Sequence, residues 1–253
     1  MTKIISIHSF RGGTGKSNTT ANLATLLASR GLKVGVVDSD IQSPGIHILF
    51  GIRGEDVQYS LNDYLWGNCA IEATAHDVTS NIGTNISGQV LLIPSSMDTG
   101  SIARVLHEGY DVGVLSQGLR EVNAKLGLDM LLIDTHPGLN EETLLSIALS
   151  DVLAIIMRPD EQDYEGTAVT VSVARRLQVP HMVLILNKVP QLYDMEQVKE
   201  QAGQTYDTEV AAVIPHSDEM MTLASRGIFV THFPDHPVTD LLKGVVGKIR
   251  QAP

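Results

Sequence analysis

The chain has 253 residues, 43% of them hydrophobic and only 4% aromatic, with 29 acidic against 18 basic side chains for a formal net charge of −11. That balance opposes broad, sequence-independent attachment to DNA or to anionic lipid, and a single cysteine, Cys69, excludes an internal disulfide or a CxxC pair. A core built mainly from Ile, Leu, Val and Ala suits parallel strands buried on both faces, a single domain over 1–253, and a reducing cytoplasm as the compartment.

The chain enters a predicted first strand at Ile4–Ile7 with no charged-then-apolar leader, and no apolar run approaches the length that crosses a bilayer. A helical pattern follows from Ser17 to Ser29, then a strand at Val34–Val37. Residues 51–89 are rich in Gly, Asn, Thr and Ser, with only a short pattern around Leu61–Leu65, and read as an irregular, partner-facing insertion. Tyr64 and Trp66 within it suit either a contact anchor or a satellite core cluster. Further strands are predicted at Val90–Ile93, Met130–Ile133, Val152–Ile156, Met182–Leu186 and Val210–Ile214. Helices are predicted at 112–126, 141–149, 164–177, 195–205, 219–225 and 239–249. Strand alternating with helix predicts an α/β fold: one doubly wound, mostly parallel sheet of about seven strands with helices on both faces.

Between the first strand and first helix lies Phe10-Arg11-Gly12-Gly13-Thr14-Gly15-Lys16-Ser17-Asn18. The three glycines remove side chains where backbone must curl around phosphate, so that successive N–H groups face the anion. Lys16 adds a mobile positive charge, Ser17 a hydroxyl for Mg²⁺, and the helix its positive dipole end. A nucleoside triphosphate is the expected ligand. In such a sheet ligands sit beyond the carboxyl ends of strands. Asp134 ends one strand and precedes a Pro137-Gly138 turn, the pattern of a carboxylate held at the sheet edge for Mg²⁺.

The common phosphate-loop pattern has glycine where this chain has Phe10, so the match is to the variant G-G-x-G-K-[ST] with a basic residue just before it. That variant resembles the deviant Walker A box of the MinD/ParA family of ATPases, within the SIMIBI class of P-loop NTPases. The likeness runs in order from the first strand to the segment after the seventh. Asp134 to Gly138 resembles the family's switch II, which senses the γ-phosphate. Asp38-Ser39-Asp40, leading to Pro44, resembles its Walker A′ and switch I; the alternative is an Asx turn. The resemblance implies that Asp40 orients or activates the attacking water and that Asp38 supports the metal and Lys16. It implies that Asn187 reads the adenine edge and that Pro215, His216 and Asp218 border base and ribose.

Arg11 stands where the family has lysine, a residue that reaches across a dimer to the partner's phosphates. Arginine keeps the charge and adds a planar fork suited to phosphate. The alternative is that Arg11 pairs with a local carboxylate and that the contact comes from elsewhere, for instance Arg158. The last helical stripe, Leu241, Leu242, Val245, Val246 and Ile249, reads either as a helix closing the core or as a basic amphipathic membrane contact. His216, His232 and His236 lack zinc-site spacing, and there is no Gly-x-Ser-x-Gly elbow.

The function implied is a switch ATPase: ATP and Mg²⁺ drive a homodimer, and slow hydrolysis stimulated by an activating or cargo-adaptor protein resets it while a cargo is positioned or partitioned. Nucleoid DNA or the inner membrane is the surface in such systems, DNA being disfavoured here by charge. One alternative is an assisting ATPase of the nitrogenase-reductase or metal-insertion type, whose members usually need cysteines at the dimer face. Another is a nucleotide-dependent binding protein with little hydrolysis.

Overall fold

In the computed structural model, which describes residues 2–83 and 86–252, the β-branched apolar runs form eight strands of one sheet. They are β1 (Lys3–His8), β2 (Lys33–Asp38), β3 (His76–Asp77), β4 (Gln89–Ile93), β5 (Met130–Asp134), β6 (Val152–Met157), β7 (His181–Val189) and β8 (Glu209–Pro215). Their order is β3-β4-β2-β5-β1-β6-β7-β8, and every pairing is parallel except β3 with β4. The seven expected strands are present. The eighth, β3, is a two-residue edge strand, too short for a period-2 pattern to register.

Successive strand residues serve opposite faces, and both faces are apolar. Ile5, Ile7, Val34, Val36, Leu132, Ala154 and Ile156 join one core with α1 (Lys16–Ala28) and α12 (Pro237–Gln251). Their neighbours Val37, Leu131 and Ile133 belong to a second cluster, packed with α6 (Val112–Leu126), while Leu153 and Ile155 belong to a third, packed with α8 (Glu161–Arg176) and α9 (Met195–Tyr206). Leu242, Val245, Val246 and Ile249 of α12 are buried in the first core, so the terminal stripe closes the core.

The 51–89 segment, of which residues 84 and 85 lie outside the described residues, carries more regular structure than its composition suggests. Short helices α3 (Leu61–Leu65) and α4 (Thr79–Ile82) follow α2 (Ile46–Leu49). Ser60 and Asp63 start α3 with a capping box, the Asp63 carboxylate accepting from the Ser60 N–H at 2.8 Å. Tyr64 donates to the Val114 carbonyl at 3.2 Å and Trp66 packs under the Arg104 guanidinium, 4.4 Å from the ring centroid, so both belong to a satellite of the second cluster.

Several helices depart from expectation. α5 (Thr99–Glu108) is an unexpected helix: its apolar stripe is short, Ile102, Val105 and Leu106, and only Val105 of it is buried; Asp98 starts it by accepting from the Ser101 N–H at 2.7 Å. α8 begins at Glu161 rather than Tyr164, because Asp160 caps it by accepting from the Asp163 N–H at 3.1 Å. The remaining helices are α7 (Glu141–Leu149), α10 (Asp218–Leu223) and α11 (Phe229–His232). α10 stops at Leu223 because Ala224 and Ser225 turn left-handed, at φ 48° and 59°.

Candidate nucleotide site at the strand tips

β1 and α1 are joined by the glycine loop, and Gly13 and Gly15 adopt φ values of 78° and 98° that other residues rarely reach. A side chain at Gly15 would also meet the Asn187 amide nitrogen at 2.5 Å. No described side chain caps α1, whereas Asp, Asn or Ser caps α5 through α10. The first-turn N–H groups of α1 are thus left for an anion. Lys16 is buried at the head of this helix, and the Thr14 hydroxyl is buried without a partner.

The carboxylates expected at the strand tips converge on the same end. Asp38 and Asp134 are register partners on β2 and β5, both buried. Burial raises the Asp134 carboxyl to about 6, against the opposing pull of the Lys16 charge and of the Ser17 and Thr20 hydroxyls. Burial, and then the Asp134 charge, push Asp38 well up as well, although the N–H groups of Gly45 and Asp40 donate to it. Two buried carboxylates whose charged forms burial disfavours, next to a lysine and a serine hydroxyl, are a donor set that a divalent cation would relieve.

The segment after β5 is fastened to the loop. Gly138 N–H donates to the Ser9 carbonyl at 3.1 Å, and Pro137 lies against Gly12. The Thr135 hydroxyl donates to the Ile7 carbonyl at 3.0 Å and therefore accepts from His8 Nδ1 at 2.8 Å, which leaves the buried Nε2 of His8 as an unpartnered lone pair. Burial first, then the Lys16 and His136 charges, lower His8 to about 3, so this ring is neutral at physiological pH. Asp40, ahead of Pro44, is joined to His136 by a 2.6 Å contact between Oδ1 and Nδ1.

Arg11 pairs within its own chain, with Asp160 at 3.2 Å and Asp163 at 3.5 Å. Arg158 binds the same two carboxylates, at 3.2 and 3.3 Å. The local-carboxylate alternative for Arg11 is therefore the arrangement of the single chain, and Arg158 shares its partners. Phe10 explains its own departure from the common motif. A Cβ at Gly166 of α8 would lie 2.1 Å from the Phe10 ring, so the chain places its missing glycine on the facing helix.

The end of β7 straps the loop from the other side. Asn187 donates from Nδ2 to the Thr14 carbonyl at 2.8 Å, and Lys188 from Nζ to the Gly13 carbonyl at 2.7 Å. Lys188 is left-handed at φ 56°, beside a register shift in the β7–β8 ladder. Asn187 thus holds the loop as well as lying where a base-reading amide was expected. Pro215 ends the neighbouring β8; His216 N–H donates to the Val189 carbonyl at 2.8 Å, and its ring lies 3.6 Å from Asp218. Asn18 sits in the first turn of α1, its carbonyl accepting from Asn22 at 2.7 Å.

Four residues of this site escaped the sequence reading: His8, His136, Asp160 and Asp163. His136 lies inside a motif that was recognised for its flanking Asp, Pro and Gly. Asp160 and Asp163 carry an N-cap spacing directly after a strand, which is the signal that could have found them.

Residues 2–183 match the protein family described as AAA domain. The chain is 27% identical over 247 residues to an uncharacterized ATP-binding protein of Methanocaldococcus jannaschii, covering 97% of this chain and 86% of that protein. It is 32% identical over 186 residues to an iron-sulfur cluster carrier protein of Methanococcus maripaludis, covering 72% of this chain but 59% of that one. Among solved structures, the septum site-determining protein MinD of Pyrococcus horikoshii, complexed with Mg-ADP, matches with a TM-score of 0.79 at 22% identity, over 99% of this chain and 97% of that one. With the glycine loop, the uncapped helix and the carboxylate-bearing strand tips in the order described, this chain belongs to the AAA-domain family that its residues 2–183 match, and it has the fold of the MinD/ParA P-loop ATPases.

Proposed function

We propose that this chain is an ATP-driven dimerising switch that positions or partitions a cargo. The observation that carries the reading is the uncapped end of α1, reached through the left-handed Gly13 and Gly15, where the Lys16 charge acts on Asp134 of the buried pair Asp38 and Asp134. The triphosphate would lie along Gly12 to Asn18, with Ser17, Asp38 and Asp134 holding Mg²⁺. Bound there, Mg²⁺ supplies positive charge that offsets the two carboxylates and the phosphates. Lys16 supplies further charge, Asp40 holds water in line with the γ-phosphate, and the base lies between Asn187 and the segment from Pro215 through His216 to Asp218.

Arg11 carries the dimerisation part of this reading. Its guanidinium is half-exposed, and its bonds to Asp160 and Asp163 are long enough, at 3.2 and 3.5 Å, to be exchanged for a partner's phosphate oxygens. An activating or cargo-adaptor protein would read the dimer. No helix of the described residues is long and apolar enough to cross a membrane, and with α12 closed into the core a cytoplasmic switch acting at the nucleoid or inner-membrane surface depends on some other contact.

The iron-sulfur carrier among the relatives favours one second reading, cluster or metal delivery by the same nucleotide engine. Cys69 speaks against it: burial and the Asp63 and Glu72 charges raise its thiol pKa, which disfavours the thiolate that binds metal. The deciding experiment is ATP turnover and sedimentation of the purified chain with ATP and Mg²⁺. ATP-dependent dimers and slow hydrolysis uphold the switch; a monomer that binds ATP without turnover supports the simple binding-protein alternative; turnover linked to iron-sulfur transfer supports delivery.

A further inference from the structure

The segments after β2 and β5 meet at one side-chain bond. His136 Nδ1 lies 2.6 Å from Asp40 Oδ1, with the side chains 26% and 16% exposed. The same oxygen accepts from the Ser43 N–H at 3.1 Å, and Asp40's own N–H donates to Asp38 Oδ1 at 3.1 Å. Two donors on Oδ1 fix the rotation of the carboxylate, and no described residue donates to Oδ2. An ionised Asp40 can only accept, so Nδ1 carries the hydrogen and the bond needs no charge on the ring.

The bracket on the other side is rigid. Thr135 is fixed to Ile7 and His8, Pro137 restricts the backbone of His136, and Gly138 is bonded to Ser9. His216 and Asp218 make the contrast: their contact is 3.6 Å long, and Asp218 is 95% exposed. Such a pair holds nothing in place, whereas Asp40 is gripped at one oxygen by two segments.

We propose that His136 is a positioning residue, whose Nδ1–H holds Asp40 Oδ1 so that Oδ2 faces the attacking water. The inference rests on the ATPase reading above and deepens it, making the segment after β5 set the geometry of the segment after β2. Small displacements of such a group are costly in rate and nearly silent in ground-state binding.

Three substitutions test it, since asparagine places an amide nitrogen near the position of Nδ1, glutamine places one near Nε2, and alanine neither. His136→Ala and His136→Gln should lower single-turnover hydrolysis at saturating Mg-ATP about tenfold or more, with the dissociation constant of Mg-ATP within about threefold of the parent. His136→Asn should return to within about threefold of the parental rate, and His136→Ala should add nothing to Asp40→Ala, as two residues acting through one contact require. Hydrogen exchange over residues 40–45 of the nucleotide-free protein should rise in His136→Ala and be restored in His136→Asn. Full turnover in His136→Ala, an asparagine variant as slow as alanine, or a loss additive with Asp40→Ala would overturn the proposal. A parent that binds Mg-ATP without turning it over would sink the hydrolytic reading instead, and exchange then decides the tether: unchanged exchange in His136→Ala overturns it, and restored protection in His136→Asn upholds it.

Discussion

Asp38 and Asp134 face one another in register on neighbouring parallel strands, and Ser39 closes the junction by donating both its N–H and its hydroxyl to the Asp134 carbonyl at 3.0 Å. Hydrogen bonds thus pin the backbone where two buried carboxylates repel. The sheet stores an unfavourable charge arrangement at the end where a cation is expected to bind.

That arrangement makes stability depend on pH. Burial raises Asp134 from 3.8 to about 6, so between those values the folded protein holds a proton that the unfolded chain has released. The associated stability is present in full below the unfolded value and is lost as pH rises through about 6; at about 1.4 kcal/mol per unit it amounts to about 3 kcal/mol. Urea unfolding without metal should find Asp134→Asn more stable than the parent at pH 7.5 by about 2–3 kcal/mol and close to it at pH 4. Equal stability at both pH values would mean that Asp134 is ionised without penalty.

Arg11 and Asp160 make the next test. In the single chain the arginine is tied back to the start of α8, so an ATP-bound dimer of the kind proposed would have to compete with that tie. Arg11→Ala should weaken ATP-dependent dimerisation at least tenfold, whereas Asp160→Ala should strengthen it by a few-fold, since a half-exposed pair contributes about 0–1 kcal/mol. Sedimentation equilibrium with a slowly hydrolysed ATP analogue reads both. Dimers that ignore both substitutions would assign the trans contact to another residue.

Phe10 and Gly166 form a complementary pair. Adding a methyl at Gly166 drives it into the Phe10 ring, so Gly166→Ala should cost about 1–3 kcal/mol of overpacking strain and weaken Mg-ATP binding by shifting the loop. Phe10→Gly in the same chain should recover most of the binding, because the ring that clashes is gone. Chemical unfolding and nucleotide titration of the single and double variants check this; a single variant that binds normally would show that the loop accommodates the ring elsewhere.

Asp40→Ala separates binding from turnover. The loop and the metal carboxylates remain, so ATP affinity should stay within about threefold while hydrolysis falls about a hundredfold, and the ATP-bound dimer should accumulate. Unchanged hydrolysis would place the water on another group.

Much of this site could be read along the chain because its parts are local. The glycine loop, Lys16 and Ser17 are consecutive, and Asp38 and Asp134 each end a short apolar run, so composition and periodicity locate them. What could not be read depends on partners far away in sequence. His136 meets Asp40 across 96 residues, Arg11 meets Asp163 across 152, and Asn187 reaches Thr14 across 173. No pattern along one strand reports such pairings. β3 is illegible for a different reason, since a strand of two residues carries almost no periodic signal, whereas α5 does carry a helical stripe, Ile102, Val105 and Leu106, that the reading along the chain passed over.

The central claim is that the loop from Gly12 to Asn18 grips a triphosphate, and isothermal calorimetry of Mg-ATP against the parent and Lys16→Ala tests it most directly. The parent should bind one Mg-ATP per chain with a measurable heat, and Lys16→Ala should lose that heat. A parent that gives no heat, or a Lys16→Ala variant that binds as tightly as the parent, would contradict the account.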